Sequence, residues 1–239
     1  MSQLPLALRF PRQQRFEHFH AGSANAATLA LLRTTATTAA APWVLLHGPP
    51  GSGKTHLLLA ACQSAAEAGR RVRYAALSAL PAPRPDAIAA LTGAELIAID
   101  ELDIAAGTRA DEQALFDLYN RSRAEGATLL IAARLPPAEL ALSLPDLRSR
   151  LGACTRAVLH PLVDDERRAV LRERAAARGI ELDDSVLDWL FARHVRDLGA
   201  LTALLDRIDR AALAARRRVT VPFLRELLAG TGTGTASDR

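Results

Sequence analysis

The sequence predicts a parallel-sheet α/β domain followed by a small all-helical domain, and three observations support this fold class. Up to residue 161, short apolar runs of strand length alternate with segments of helix length, which is typical of a parallel α/β sheet. Between residues 162 and 229 every segment is helical in pattern. The 239 residues are 49% hydrophobic and 23% charged, which suits two globular cores and excludes a mostly disordered or collagen-like chain.

Short apolar runs are the predicted strands of the first domain, because each has strand length and is bounded by turn residues. These runs are residues 43–47, 71–77, 96–99, 128–133 and 155–159. Helices are predicted at residues 25–33, 54–68 and 111–125, and a short one is predicted to begin at Pro136 and Pro137. Gly69 and Gly126 directly follow two of these helices, where a glycine commonly ends a helix. The proline-rich residues 81–85 predict a loop.

The second domain is predicted to contain four helices, at residues 164–178, 183–193, 197–216 and 222–228. Asp164 and Asp183 lie where N-cap residues are expected, Gly179 ends the first helix, and Pro222 suits a first helical turn. The predicted organisation is a mobile tail at 1–15, an α/β domain at 16–161, a helical domain at 162–229 and a disordered tail at 230–239.

Composition and charge narrow the function classes. The formal net charge of +4 allows contact with nucleic acid or an acidic partner without demonstrating it. Two cysteines, Cys62 and Cys154, are too few for a disulfide scaffold or a cysteine-rich zinc site. The first residues lack a secretory h-region, and the apolar runs fall short of the ~20 residues that cross a bilayer. A cytoplasmic protein without a membrane partner is therefore expected.

A phosphate-binding loop is the clearest motif. Residues 48–55 match G-x-x-x-x-G-K-[ST] directly after a predicted strand and at the start of a predicted helix. Its glycines let backbone N–H groups face phosphate oxygens, and the helix N-terminus adds positive potential. Lys54 is the one lysine of the sequence, and its compact ammonium suits the β- and γ-phosphates better than the planar fork of arginine does. The residues predicted to bind the nucleotide here are Gly48, Gly51, Ser52, Gly53, Lys54, Thr55 and His56; His56 and Trp43 are expected to pack beside the loop.

An acidic pair supplies the predicted metal and catalytic groups. Asp100 and Glu101 directly follow the buried run at 96–99. Thr55 and Asp100 are the predicted Mg²⁺ ligands, since P-loop proteins hold the metal with a loop hydroxyl and a strand-end aspartate. Glu101 could polarise an attacking water. Two adjacent acids favour hydrolysis over transfer to a small-molecule acceptor.

Two arginines stand out by position, although a single arginine is ordinarily a solvated surface residue. Arg150 lies in the segment Leu-Arg-Ser-Arg-Leu just before the last predicted strand, where it could reach a phosphate on a neighbouring molecule. Such arginine fingers supply transition-state charge. Arg196 lies near the start of a long helix in the second domain, from which it could fold back onto the domain's own nucleotide.

The order of these parts resembles the AAA+ ATPases, and more closely the nucleotide-binding part of the DnaA-like family, over residues 15–229. The segment 15–19 with Gly22 and Asn25 resembles the family's adenine-side box, which implies nucleotide contact for Phe19. Residues 51–58 are very similar to its phosphate loop. Residues 147–150 resemble the box that carries the arginine finger, with Arg150 as the finger, and residues 195–198 resemble sensor 2, with Arg196 as the sensor. The resemblance implies a P-loop AAA+ α/β core with a helical lid.

The sequence departs from the DnaA pattern in two places. The chain stops at Arg239, where DnaA continues into a helix-turn-helix domain, so no sequence-specific DNA binding is expected. Residues 132–134, Ala-Ala-Arg, stand where the family has a polar or acidic sensor 1 group. Weak or absent intrinsic ATP hydrolysis is therefore expected, while nucleotide binding is retained.

The first residues resemble a bacterial sliding-clamp-binding peptide, since residues 3–8 read Gln-Leu-Pro-Leu-Ala-Leu and fit Q-L-x-L-x-L. An extended segment of this kind would place leucines in an apolar pocket, while the Gln3 amide fixes the register. The residues concerned are Gln3, Leu4, Leu6 and Leu8. A DnaA-like core with this peptide and without the DNA-binding domain resembles the Hda group of the DnaA-like family, which are regulatory inactivators of DnaA.

The resemblance therefore implies a negative regulator of replication initiation. It would bind ADP or ATP with Mg²⁺, dock on the DNA-loaded sliding clamp (the β subunit of DNA polymerase III), and present Arg150 to ATP held by DnaA. One alternative is a DnaC-like helicase-loader ATPase acting on single-stranded DNA, against which the 4% aromatic content counts. Another is a small-molecule kinase. The working nucleotide, direct DNA contact and oligomeric state stay open, and a homo-oligomer is compatible with the sequence.

Overall fold

The structure, a computed structural model, describes residues 14–193, 198–215 and 217–229. The chain divides into two compact units that meet at Pro161 and Leu162. The first unit is an α/β layer structure and the second is helical. In the part of the chain so described, no helix is long and apolar enough to cross a membrane.

A five-stranded, all-parallel sheet forms the centre of the first unit. Its strands are β1 (Val44–His47), β2 (Val72–Ala76), β3 (Leu96–Asp100), β4 (Thr128–Ala133) and β5 (Thr155–Val158). The strand order is β2-β3-β4-β1-β5, and every neighbouring pair is parallel. The predicted fold class is confirmed, and all five strands lie where the apolar runs predicted them.

Helices cover both faces of this sheet, so its central strands are apolar on both sides. Along β1, Val44 and Leu46 pack with helices α1 (Ala26–Thr37) and α2 (Lys54–Glu67). Leu45, between them, packs with the opposite layer. That layer consists of α3 (Arg84–Ala89), α4 (Arg109–Ala124) and α5 (Pro145–Gly152). Because Val44, Leu45 and Leu46 of β1 are fully buried, the carboxyl end of this strand presents the loop at residues 48–53 from a rigid base.

One predicted helix boundary and one predicted loop in the first unit were wrong in part. Helix α1 continues to Thr37 instead of ending at residue 33, because Arg70 donates to the carbonyl oxygens of Thr35 (3.2 Å) and Ala36 (2.7 Å) and satisfies its last turn. Helix α3 begins at Arg84, inside the predicted proline-rich loop.

The short helix predicted at Pro136 and Pro137 was also wrong. The structure has a single turn there, in which the Glu139 and Leu140 N–H groups both donate to the Pro136 carbonyl. The turn does not continue, because Leu140 and Leu142 enter the core on the α4 side of the sheet. The helix begins instead at Pro145, as α5.

Four helices form the second unit within the described residues: α6 (Asp164–Ala176), α7 (Asp184–Arg193), α8 (Leu198–Ala215) and α9 (Val221–Ala229). They enclose a separate apolar core around Leu171, Leu187 and Leu224. The Asp164 N-cap prediction was wrong by one residue, since Val163 is the N-cap and its N–H donates to the Glu166 carboxylate (3.1 Å). Helix α6 ends at Ala176, two residues before the predicted end, and Gly179 lies in the turn that follows with a positive φ of 73°.

Candidate nucleotide site

The loop between β1 and α2 can be built only with glycines at its ends. A Cβ on Gly48 would lie 2.3 Å from the backbone oxygen of Leu159, and one on Gly53 would lie 2.6 Å from the Phe19 ring. Gly53 has a φ of 98° and Gly51 a φ of 75°, a region that residues with a side chain rarely adopt. The result is a tight loop that opens directly into the N-terminus of α2.

Lys54 and Ser52 give this loop the polar groups that a phosphate needs. The Lys54 ammonium donates to the carbonyl oxygens of Gly48 (2.7 Å) and Pro49 (2.9 Å). Burial and the nearby positive charge of Arg134 lower the pKa of Lys54, while Asp100 and Asp103 act in the opposite direction. The Ser52 hydroxyl is buried and has no hydrogen-bond partner. An ammonium and an unpartnered buried hydroxyl at a helix N-terminus fit a phosphate group.

The predicted metal ligands are in direct contact. The Thr55 hydroxyl donates to Oδ2 of Asp100 at 2.6 Å, so the loop and the end of β3 meet as the motifs predicted. Asp100 is only 2% exposed, and its Oδ1 accepts the Glu101 N–H at 2.9 Å. A hydroxyl and a carboxylate are oxygen ligands of the type that Mg²⁺ prefers, so these residues fit a metal that bridges to phosphate.

Tyr74 is a site residue that the sequence reasoning missed. It lies on β2, and its phenol donates to the same Asp100 Oδ2 at 3.1 Å. Burial and the Asp100 carboxylate raise the pKa of Tyr74, so it is a permanent donor at neutral pH. The available signal was a hydroxyl-bearing aromatic in a strand whose other side chains, apart from Arg73, are small and apolar.

Glu101 adopts a left-handed backbone conformation (φ 60°, ψ 43°), which costs free energy in a residue with a side chain. Its carboxylate accepts the backbone N–H of Ser78 at 3.3 Å, and it also accepts the Ser78 hydroxyl. The residue predicted to polarise water is therefore tied to the segment after β2, although it directly adjoins the predicted metal ligand Asp100.

An aromatic pair flanks the loop on its other side. The rings of Phe19 and His56 lie 5.4 Å apart, and Nε2 of His56 is 2.8 Å from the carbonyl oxygen of Arg15. Arg15 also pairs with Glu67 on α2 at 2.8 Å. The structure thus brings Phe19, His56 and the phosphate loop together, and contact of Phe19 with adenine stays a prediction.

Trp43 does not lie beside the phosphate loop, so that prediction was wrong. It precedes β1, at the opposite end of the strand from Gly48. Its indole N–H donates to the Ala127 carbonyl at 2.8 Å, and its ring packs edge-on against Tyr119 at 4.4 Å. The prediction failed because Trp43 is close to Gly48 in sequence, but the extended strand β1 separates the two residues in space.

Arg150 lies far from the loop of its own chain. It is exposed in the last turn of α5, and its guanidinium lies 5.9 Å from the centre of the Tyr119 ring. The residues after α5 lead into Thr155, which pairs with Val44 at the first residue of β1. The end of α5 therefore lies beside the amino ends of the strands, whereas the phosphate loop follows the carboxyl end of β1. Arg150 can act on a phosphate only if that phosphate is on another molecule.

A buried carboxylate that the sequence reasoning missed fixes the start of α5. Glu112 is 0% exposed and accepts hydrogen bonds from the backbone of Gly107 (2.7 Å), Ser143 (2.9 Å) and Leu144 (2.7 Å), and from the Ser143 hydroxyl (2.8 Å). Leu147 supplies the apolar anchor of the helix. No local signal could have shown this, because most of these donors are about 30 residues away in sequence.

Several predicted site residues lie outside the described residues. They are Gln3, Leu4, Leu6 and Leu8 of the clamp-binding peptide and Arg196 of the sensor 2 segment. Their roles stay predictions.

Two family models match the chain and together cover nearly all of it. The model described as IstB-like ATP binding protein matches residues 1–163. The model described as Hda, lid domain, matches residues 164–228. Their junction falls between the α/β unit and the helical unit.

Solved structures of similar fold include replication initiators and a Holliday junction motor. Domain III of the Thermotoga maritima replication initiation protein DnaA has a TM-score of 0.77 and 20% identity, over 94% of this chain and 99% of that one. A DnaA bound to AMPPCP and single-stranded DNA has a TM-score of 0.70 and 18% identity, over 83% of this chain and 65% of that one. The RuvB Holliday junction branch migration motor of T. maritima has a TM-score of 0.66 and 21% identity, over 92% and 72%. These likenesses establish the fold, and the chain spans about two thirds of the longer DnaA.

Proposed function

Because the chain belongs to the family of IstB-like ATP-binding proteins and ends in a lid of the Hda type, we propose that it is a nucleotide-bound regulator of DnaA. The two matches and the AAA+ fold confirm the resemblance to Hda and support a DnaA-related replication regulator. In the proposed function the chain binds ADP or ATP, docks on the DNA-loaded sliding clamp and stimulates hydrolysis of ATP held by DnaA.

The observation that carries the proposal is that the two ends of the parallel strands carry different functional groups. The carboxyl ends form what is called here the carboxyl edge of the sheet, and the amino ends form the opposite edge. Lys54, Thr55 and Asp100 form a nucleotide and Mg²⁺ site at the carboxyl edge. Arg150 is exposed at the opposite edge, where it cannot serve its own site. A chain built in this way can hold one nucleotide and offer an arginine to another, as arginine fingers acting in trans do.

The chemistry of the chain's own residues follows from this arrangement. Lys54 and the Ser52 hydroxyl bind phosphate, and Thr55 with Asp100 would hold Mg²⁺, which neutralises phosphate charge when bound. Phe19 and His56 offer ring faces on the adenine side. The Arg150 guanidinium would stabilise negative charge that develops on the phosphate of the DnaA-bound ATP.

Clamp docking rests on Gln3, Leu4, Leu6 and Leu8, in the first residues of the sequence. A short extended segment can enter an apolar groove with its leucines while a glutamine amide hydrogen-bonds the rim. The clamp would then bring the chain to DNA through a partner, which agrees with its modest net charge of +4.

The helicase-loader alternative finds no support in the aromatic residues. Across residues 14–193, 198–215 and 217–229, every aromatic side chain is buried or half-buried. Non-specific single-strand binding commonly uses exposed rings on which bases stack. A gel shift with single-stranded DNA at physiological salt distinguishes the two functions, and tight binding would favour the loader.

The proposed function is tested by reconstitution. Phosphate release from DnaA–ATP is measured with this chain, with and without a clamp loaded on DNA. We expect stimulation that depends on the clamp, and we expect Gln3→Ala to lose most of it together with clamp pull-down. Gln13→Ala, a glutamine outside the hexapeptide, is the matched control and should behave as wild type. Equal stimulation by the Gln3 variant would remove the peptide from the function.

A further inference from the structure

Three donors hold the carboxylate of Asp100 at the end of β3. Its Oδ2 accepts the Thr55 hydroxyl at 2.6 Å and the Tyr74 phenol at 3.1 Å, and its Oδ1 accepts the Glu101 N–H at 2.9 Å. Because Asp100 is only 2% exposed, its carboxylate depends on these hydrogen bonds in place of water. Both carboxylate oxygens are thereby fixed in one orientation.

The strand register places Tyr74 where its phenol can reach this carboxylate. In the parallel ladder between β2 and β3, Tyr74 pairs with Ala98, and Asp100 lies two residues further along β3. Residues two apart on a strand point to the same face, and a diagonal step of this kind is short enough for a long aromatic side chain. Tyr74 packs against the apolar layer that also contains α2, and Thr55 lies in the first turn of that helix. The phenol and the Thr55 hydroxyl therefore meet Asp100 on the same face of the sheet.

Tyr74 differs from the other two donors in its relation to the metal. Thr55 is itself a predicted ligand, so its hydroxyl oxygen would be shared between Asp100 and Mg²⁺. The Glu101 donor is a backbone N–H and contacts the other carboxylate oxygen. The Tyr74 phenol donates to the same oxygen as Thr55 but stands outside the predicted ligands. Groups that hydrogen-bond a metal ligand from outside fix its orientation, and their loss commonly weakens the metal complex about 10- to 100-fold.

We propose that Tyr74 is a positioning residue whose phenol orients the Asp100 carboxylate for a Mg²⁺-bound nucleotide. The inference rests on the proposed nucleotide site and adds to it a residue of β2. Without Mg²⁺ the nucleotide would be held by Lys54 and the Ser52 hydroxyl of the loop, whereas the Tyr74 phenol contacts Asp100. Tyr74 therefore affects binding of Mg²⁺–ADP far more than binding of ADP alone.

The test measures the affinity for ADP by calorimetry, in saturating Mg²⁺ and in EDTA, for wild type, Tyr74→Phe and Tyr119→Phe. Each variant keeps its aromatic ring and loses only the hydroxyl. Tyr119 is the other of the two tyrosines in the sequence, and it packs against Trp43, which precedes β1 at the amino ends of the strands. We expect Tyr74→Phe to weaken ADP binding about tenfold in Mg²⁺ and less than about twofold in EDTA. Tyr119→Phe should stay within about twofold of wild type in both conditions.

Retained ADP binding in EDTA would also show that the Tyr74 variant is folded. An equal loss of affinity in Mg²⁺ and in EDTA would give the hydroxyl a merely structural role and overturn the inference, as would undiminished affinity in Mg²⁺. A wild-type affinity for ADP that does not depend on Mg²⁺ would instead overturn the metal site, and failure of the wild-type chain to bind ADP would overturn the phosphate site. Either result would overturn the Tyr74 inference as well.

Discussion

Lys54 is the one lysine among the 30 Lys and Arg residues of the sequence, and the structure gives a reason for its retention. Its ammonium reaches the carbonyl oxygens of Gly48 and Pro49 inside a loop that has no room for a Cβ at either end. A planar guanidinium presents its donors in a fixed fork and is too wide for this loop. Arginine serves elsewhere, as Arg70 does when it ties α1 to the sheet.

A single lysine makes the phosphate site directly measurable. Acetylation of the Lys54 amine, followed by mass spectrometry, should be slowed by bound nucleotide. At a concentration about ten times Kd, mass action predicts about tenfold slower labelling. Because the pKa of Lys54 is lowered, a larger fraction of its amine is unprotonated at a given pH, and labelling without nucleotide should be faster than in an exposed lysine peptide.

Adenosine is the control in this experiment, since it carries no phosphate and should not protect Lys54. Protection by adenosine equal to that by ADP, or no protection by any nucleotide, would contradict the assignment of Lys54 to the phosphates.

At the level of single residues, the sequence predicted what local motifs encode. The contact between Thr55 and Asp100 follows from two motifs whose spacing is known for P-loops, and the structure has it at 2.6 Å. Tyr74 and the tie between Glu101 and Ser78 depend on which strands become neighbours. No local pattern encodes that choice, so these contacts could not be predicted.

Among the helices, α5 shows how the fold presents a candidate catalytic group. Its start is held by the Glu112 carboxylate through Ser143 and Leu144, and Leu147 and Leu151 anchor its inner face. Arg150 is left exposed on the last turn, with its guanidinium near the Tyr119 ring, a cation–π arrangement. An arginine that must act on another molecule benefits from this rigid base, because less conformational freedom is lost on docking.

Replacing Glu112 by Ala should destabilise the α/β unit. The substitution leaves the buried N–H of Leu144 without an acceptor and removes the hydrogen bonds to Gly107 and Ser143, and we expect a loss of about 3 kcal/mol. The measurement is urea unfolding followed by tryptophan fluorescence in a Trp189→Phe background, so that Trp43 reports the α/β unit alone. Asp117→Ala, an exposed change on the same helix, should cost no more than about 0.5 kcal/mol. A Glu112 variant as stable as this control would contradict the role given to the carboxylate.

The pH dependence of the Glu112 contribution has a definite sign. Burial opposes the charged form, but hydrogen bonds from Ser143, Gly107 and Leu144 outweigh it and hold the pKa of Glu112 below the ordinary value of 4.5. A lowered folded-state pKa stabilises the fold above the unfolded value, and this contribution is lost as the pH falls through the folded value. The gap in unfolding free energy between wild type and Glu112→Ala should therefore narrow below pH 4.5. A gap that stays constant would show that the charge of Glu112 does not contribute.

The bounds of helices and strands were predictable where apolar periodicity determines them. They were less predictable where contacts between residues distant in sequence determine them. Strand β4 has the bounds that its apolar run predicted. Helix α1 runs four residues further than predicted because Arg70, far away in sequence, satisfies its last carbonyls. The two prolines at 136 and 137 suit a helix start. The turn nevertheless ends there, because Leu140 and Leu142 are buried in the core.

For the whole molecule, the proposed function uses the two ends of the parallel strands differently. Lys54, beside the carboxyl ends, would hold the nucleotide, and Arg150 lies beside the amino ends. The helical unit has its own core and matches the Hda lid. This organisation suits a protein that acts on a nucleotide bound by its partner. In the proposed function, hydrolysis of DnaA-bound ATP therefore requires Arg150 and not the chain's own nucleotide site.

The most direct measurement is phosphate release from DnaA–ATP with the loaded clamp, in the presence of wild type, Arg150→Ala or Arg148→Ala. Arg148 is the matched control, because it is an exposed arginine of the same helix but lies two residues away and therefore on a different face. We expect Arg150→Ala to lower stimulation about 1,000-fold or to the background rate, as loss of an arginine finger does. Nucleotide binding by this variant should stay at the wild-type level, and Arg148→Ala should retain stimulation. Undiminished stimulation by Arg150→Ala would show that Arg150 is not the arginine finger.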